Sequence, residues 1–140
     1  MTQAIRDVMT REPEVLDAEA TVRQAAVAMK QRQVGDVLVR RDGKLCGIVT
    51  DRDLVVRGLA EKADPDRSQL GGLCSKELQT LGPEDSIEEA IRLMREKALR
   101  RIPVVDGTGK PVGIVSLGDL AQARDPDSVL GRISAAPPSG

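Results

Sequence analysis

The chain has 140 residues, 40% of them apolar and 31% charged, with 21 basic side chains against 22 acidic ones and a formal net charge of −1. So even a balance gives no basis for nucleic acid or a membrane surface as the main partner, and the lack of Phe, Tyr and Trp removes the rings on which single-strand binders stack bases. With no histidine, the commonest general base and metal ligand is missing, so neither an enzyme nor a metal site is expected.

Taken in order, Ala4 to Thr10 reads as a short, weakly helical lead-in closed by Arg11-Glu12-Pro13, with Val15-Leu16 as a short strand. Thr21 and Gln24 form a capping box ahead of Val22, Ala25, Ala26 and Met29, which fall at i, i+3, i+4 and i+7. That spacing predicts an amphipathic helix ending near Arg32. Val37 to Val39 and Leu45 to Val49 read as strands joined by the turn Arg41-Asp42-Gly43-Lys44. The run Gly47-Ile48-Val49-Thr50-Asp51-Arg52-Asp53-Leu54 then carries the second strand directly into another helix, through Leu54, Val55 and Leu59.

Residues 63–72, with Asp64-Pro65-Asp66 and Gly71-Gly72, read as a linker. Beyond them the pattern returns. Ser86 and Glu89 repeat the capping box, Ile87, Ala90, Ile91 and Met94 repeat the stripe, and Ile102 to Val105 with Val112 to Val115 repeat the hairpin. Its turn, Asp106-Gly107-Thr108-Gly109, is one residue longer, which moves the offset from 65 to 66. Gly113-Ile114-Val115-Ser116-Leu117-Gly118-Asp119-Leu120 therefore echoes the run at 47–54. A fixed-period repeat means one supersecondary unit used twice. The expected division is 1–62 for the first repeat, 63–72 for the linker, 73–124 for the second repeat and 125–140 for a tail. The fold class is α/β, of the α+β kind, with two tandem β-α-β-β-α units about a pseudo-two-fold axis.

Cys46 interrupts an apolar strand where the second copy has Val112, and Cys74 aligns with Met9. Both read as small buried hydrophobes. No apolar run approaches the roughly 18 to 20 residues of a membrane span, and residues 1–14 lack the basic start and apolar core of a secretion signal. A cytoplasmic location away from membranes is expected.

The order of elements, together with Ile102-Pro103-Val104-Val105-Asp106, the run from Gly109 to Ser116, Asp119-Leu120 and the run from Gly43 to Leu54, resembles the CBS domain. The chain is similar to a tandem pair of them, a Bateman module, of the kind found in stand-alone bacterial proteins. The resemblance implies a regulatory sensor with no required cofactor, which binds AMP, ADP or ATP, or in some cases S-adenosylmethionine, NAD-type ligands or divalent cations, in clefts between its halves. It further implies a homodimer that signals to an effector on a separate chain.

The resemblance carries ribose binding to Asp53 and Asp119, since one carboxylate can accept both hydroxyls of a cis-diol. Thr50 and Ser116 stand where strand becomes helix, a place that favours phosphate. Adenine would lie among aliphatic groups, its edge read by backbone at Val37 and Ile102. Arg52 and Arg101 are candidate counter-charges, and Arg101-Ile102-Pro103 replaces Asp36-Val37-Leu38 of the first copy, so unequal sites are expected. Spacing alone also fits plain helix capping by Thr50 with Asp53 and by Ser116 with Asp119. The competing function is a dimeric interaction protein, or one responsive to redox state through its thiols, with no nucleotide.

Overall fold

The computed structural model describes residues 3–61, 64–73, 78–125 and 127–136. Its strands are β1 (Thr10–Arg11), β2 (Val15–Asp17), β3 (Asp36–Arg41), β4 (Lys44–Thr50), β5 (Arg101–Val105) and β6 (Pro111–Ser116). The helices are α1 (Val22–Arg32), α2 (Asp51–Asp53), α3 (Ile87–Lys97), α4 (Leu117–Arg124) and α5 (Val129–Ala135). Two compact units result. The first takes the described residues of Pro13–Leu78 with Gly109–Pro111, and the second those of Met1–Glu12, Gln79–Thr108 and Val112–Gly140.

In the first unit β2 runs parallel to β3, which forms an antiparallel hairpin with β4. Alternation turns Val37, Val39 and Val49 inward, where they meet Val22, Ala25 and Met29 of α1. Thr21 caps α1 with the complete box read from sequence: its hydroxyl accepts from the Gln24 amide at 3.1 Å and its own amide donates to Gln24 Oε1 at 2.9 Å. The helix after β4 starts as α2 and continues over Leu54–Leu59 in π-helical winding, with the Ala60 amide donating to the Val55 carbonyl at 3.0 Å. Periodicity predicts a helix here but cannot distinguish its winding. Cys46 is half-buried on β4 against this core, and Cys74 lies outside the described residues.

The second unit repeats the core, with Ile87, Met94, Ile102, Val115 and Leu120 standing where the first has Val22, Met29, Val37, Val49 and Leu54. Its sheet is ordered β1-β6-β5. β1, a lead-in read as helical from sequence, pairs antiparallel with β6 in the register Thr10 to Ile114 and Arg11 to Gly113. The approach is close: a Cβ on Gly113 would stand 2.5 Å from Met9 Sδ and 2.9 Å from the Thr10 carbonyl. Only a glycine lets β1 close on β6 there.

Each repeat lends its lead-in turn to the other core. Ile5–Asp7 forms a 3₁₀ turn in the second unit, with the Ile5 amide donating to the Asp85 carbonyl, and Leu70–Gly72 forms its counterpart in the first, with the Leu70 amide donating to the Ala20 carbonyl. Ile5 and Leu70 are both fully buried. Two apolar anchors thus tie segments distant in sequence into each core.

The α3 cap differs from the sequence expectation. Ser86 accepts from the Glu89 amide at 3.1 Å, but the Glu89 carboxylate is taken by Arg92 instead of returning to the Ser86 amide. The hydrogen bond from Arg92 holds the Glu89 carboxyl below its usual range. A carboxyl with a lowered folded-state pKa adds stability that is complete above its unfolded pKa and lost as pH falls through the lowered one. At the other end of α3, Ala98 is exposed and left-handed, with φ 54°. Ala98→Gly is expected to raise the unfolding free energy by about 0.5–1 kcal/mol, since glycine takes this conformation without steric cost. Urea titration of the two proteins measures it.

Candidate functional site

Each unit places a strand-to-helix junction at the candidate residues: Thr50 to Asp53 in the first and Ser116 to Asp119 in the second. Both are reciprocal caps. The Thr50 amide and hydroxyl donate to Asp53 Oδ2 at 2.9 and 3.0 Å, and the Asp53 amide donates back to Thr50 Oγ1 at 3.2 Å. In the second unit the Ser116 amide donates to Asp119 Oδ2 at 2.9 Å, and the Asp119 amide to Ser116 Oγ at 3.1 Å. Capping therefore engages Oδ2 of each half-buried aspartate. Among the described residues, Oδ1 of each has no hydrogen-bond donor, so a capping carboxylate retains acceptor capacity for a ligand.

The junctions part company at the next two residues. In the first, the Asp51 amide donates to the Gly35 carbonyl at 2.9 Å, and the Arg52 amide donates to Asp51 Oδ1 at 2.8 Å. Both of these amides have an acceptor, and that of Arg52 is a carboxylate. In the second, the Leu117 amide donates to the Arg100 carbonyl at 2.8 Å. The Gly118 amide has no acceptor among the described residues, and Leu117 brings no charge. An anion would thus find one open donor at the second junction and a carboxylate already in place at the first.

The remaining sequence candidates fall into two sets. The side chains of Val37, Ile102 and Pro103 are fully buried in the cores, so only their backbone could face a ligand. Of that backbone, Val37 pairs with Val49 across the hairpin and the Pro103 carbonyl accepts from the Leu81 amide at 3.0 Å. Arg52 is exposed, while Arg101 and Asp36 are half-buried and both engaged.

Sequence reasoning missed Asp51 as an amide cap and missed what Gly118 does. A Cβ on Gly118 would lie 2.6 Å from Ser134 Oγ of α5 and 3.7 Å from Ser116 Oγ. Glycine lets α5 sit close on the first turn of α4, where any side chain would crowd Ser134. The available signal was Ser128 three residues before Gly131, with Val129 and Ile133 one helical turn apart; Ser128 Oγ does cap α5, accepting from the Gly131 amide at 2.9 Å.

Each unit also has an apolar groove between its two helices. In the second it measures about 550 Å³ and is lined by Ile91, Met94, Leu99, Leu117, Leu120 and Ala121. In the first it measures about 490 Å³, and Ala26, Met29, Val34, Leu54 and Val55 hold the matching positions. Among the described residues, no helix is long and apolar enough to cross a membrane, and no group of three or more His, Cys, Asp or Glu is placed to hold a metal.

Two copies of one small mixed α/β unit, each with a reciprocally capped strand-to-helix junction, define a tandem-repeat module. The pattern of the CBS domain matches residues 5–58 and 70–125, and the chain belongs to that family as a tandem pair. It is 38% identical over 118 residues to the CBS domain-containing protein YhcV of Bacillus subtilis strain 168, covering 84% of this chain and 83% of that protein. Among solved structures, it resembles Hypoxic Response Protein I with two coordinated zinc ions at TM-score 0.77 and 31% identity, over 86% of this chain and 98% of that one. It also resembles CBSX2 in complex with AMP at TM-score 0.72 and 28% identity, over 86% of this chain and 95% of that one.

Proposed function

We propose that the chain is a regulatory module that binds an adenosine nucleotide, AMP above all, at the second junction: the ribose diol on Asp119 and the 5′-phosphate at Ser116 and Gly118. The observation that carries this reading is the open Gly118 amide, set against the Arg52 amide already held by Asp51. The AMP complex of the similar CBSX2 supports the choice of ligand. Ligand occupancy would alter the module's affinity for an effector on another chain, to the extent that the ligand prefers one arrangement of the module.

Thermal unfolding with millimolar AMP, ADP, ATP, S-adenosylmethionine or NADH tests it. A ligand that binds the native state well below its concentration raises the transition by RT ln(1 + [L]/Kd), with AMP expected to act. If none of the five moves the transition, the chain is an interaction protein without a nucleotide.

The first junction is the weaker one, and the reason is local. Asp51→Ala frees the Arg52 amide and removes a carboxylate, so the first junction should bind AMP about tenfold more tightly, the worth of one charge-assisted hydrogen bond. Calorimetry would show it as a second equivalent of AMP bound per chain. We assign the two matching apolar grooves to a second copy of this chain, because Leu117, Val34 and Val55 leave them apolar and exposed. Sedimentation equilibrium should give a dimer, and a monomer would remove this assignment.

A further inference from the structure

We infer that α5 is a strap on the second junction, resting there at Ser134 and fastened through it when a ligand phosphate arrives; the inference rests on the nucleotide reading above. Among the described residues of the first unit nothing repeats this contact, for Arg52 stands exposed at the position that Gly118 holds in the second. In the second unit Ser134 Oγ and Ser116 Oγ both lie within 4 Å of the point where a Cβ on Gly118 would be. Two hydroxyls and the open Gly118 amide are thus gathered at the turn proposed to take the phosphate.

The seating of α5 on α4 is close but buries little apolar side chain. Gly131 is its one buried residue, while Val129 is 75% and Ile133 66% exposed. A helix held by small residues, with its large apolar side chains in water, belongs to the part of a molecule that opens at low cost. A modest ligand contact can therefore change how firmly it sits.

Ser134 supplies that contact. Its side chain is half-buried, and its hydroxyl has no hydrogen-bond partner among the described residues, so its proton is available to a phosphate oxygen. The carbonyl end of α5 adds negative potential at its last turn, and Arg132 in the same turn offsets it. A phosphate monoester gains a donor from the strap, whereas the same nucleoside without phosphate does not reach it.

The test uses the full chain, AMP and adenosine, with hydrogen exchange of 129–135 and calorimetric affinities for wild type and Ser134→Ala. AMP should slow exchange in α5 while adenosine at equal saturation does not. Ser134→Ala should weaken AMP about tenfold, the scale of one hydrogen bond to a charged group, and leave adenosine affinity and ligand-free melting unchanged. If AMP binds wild type but α5 exchange is unchanged or faster, or if Ser134→Ala binds AMP as wild type does, the strap is wrong and the nucleotide reading stands. If neither ligand binds wild type, both fall.

Discussion

Asp119→Ala will weaken AMP binding by about a hundredfold, as expected for losing the two charge-assisted hydrogen bonds of a ribose diol to one carboxylate. It will also lower stability by about 1 kcal/mol, because Asp119 Oδ2 is the acceptor for the Ser116 amide. Asp119→Asn separates the two effects. An amide oxygen can still accept from Ser116, so most of the stability should return, but its nitrogen cannot accept a ribose hydroxyl and most of the affinity stays lost. Calorimetry and thermal melting on the three proteins check both. If Asp119→Ala binds AMP like wild type, the aspartate is a helix cap and nothing more.

Ile102→Ala is expected to have the largest effect on stability and little on binding. Ile102 is fully buried on β5 beside Leu81, Ile87 and Met94. Cutting such a side chain back to a methyl leaves a cavity in a close-packed interior and costs about 2–5 kcal/mol. Because only the Ile102 backbone could read adenine, AMP affinity measured well below the melting transition should stay within about threefold, less than the tenfold that 1.4 kcal/mol represents. Urea unfolding gives the first quantity and calorimetry the second. A large affinity loss in a folded Ile102→Ala protein would mean that the side chain meets the ligand.

What could be read in the sequence is what local periodicity encodes. The stripe Val22, Ala25, Met29 and its echo Ile87, Ala90, Met94 predict α1 and α3 because apolar residues at helical spacing have one way to be buried together. The hairpins follow from apolar runs around Asp42-Gly43 and Gly107-Thr108-Gly109. Contacts between distant segments leave no such trace. Two residues, Thr10 and Arg11, cannot signal a strand whose partner is β6, about a hundred residues away. Nor can Ile5 and Leu70 reveal that each lead-in turn completes the other unit's core.

The junctions were legible as positions but not as chemistry. The repeat singles out Thr50 with Asp53 and Ser116 with Asp119, and all four cap as that spacing suggests. The difference between the sites lies in which backbone amides are already occupied. Asp51 capping the Arg52 amide, and Gly118 left open beneath Ser134, depend on side-chain direction and on a helix that starts eleven residues further on.

The Gly118 amide gives the most direct reading. In a two-dimensional proton–nitrogen spectrum titrated with AMP, the Gly118 resonance should move as its amide donates a hydrogen bond to the phosphate, and it should move much less with adenosine, while the Arg52 amide holds still. An unmoved Gly118 resonance under saturating AMP, or a shift at Arg52 in its place, would contradict the assignment of the nucleotide to the second junction.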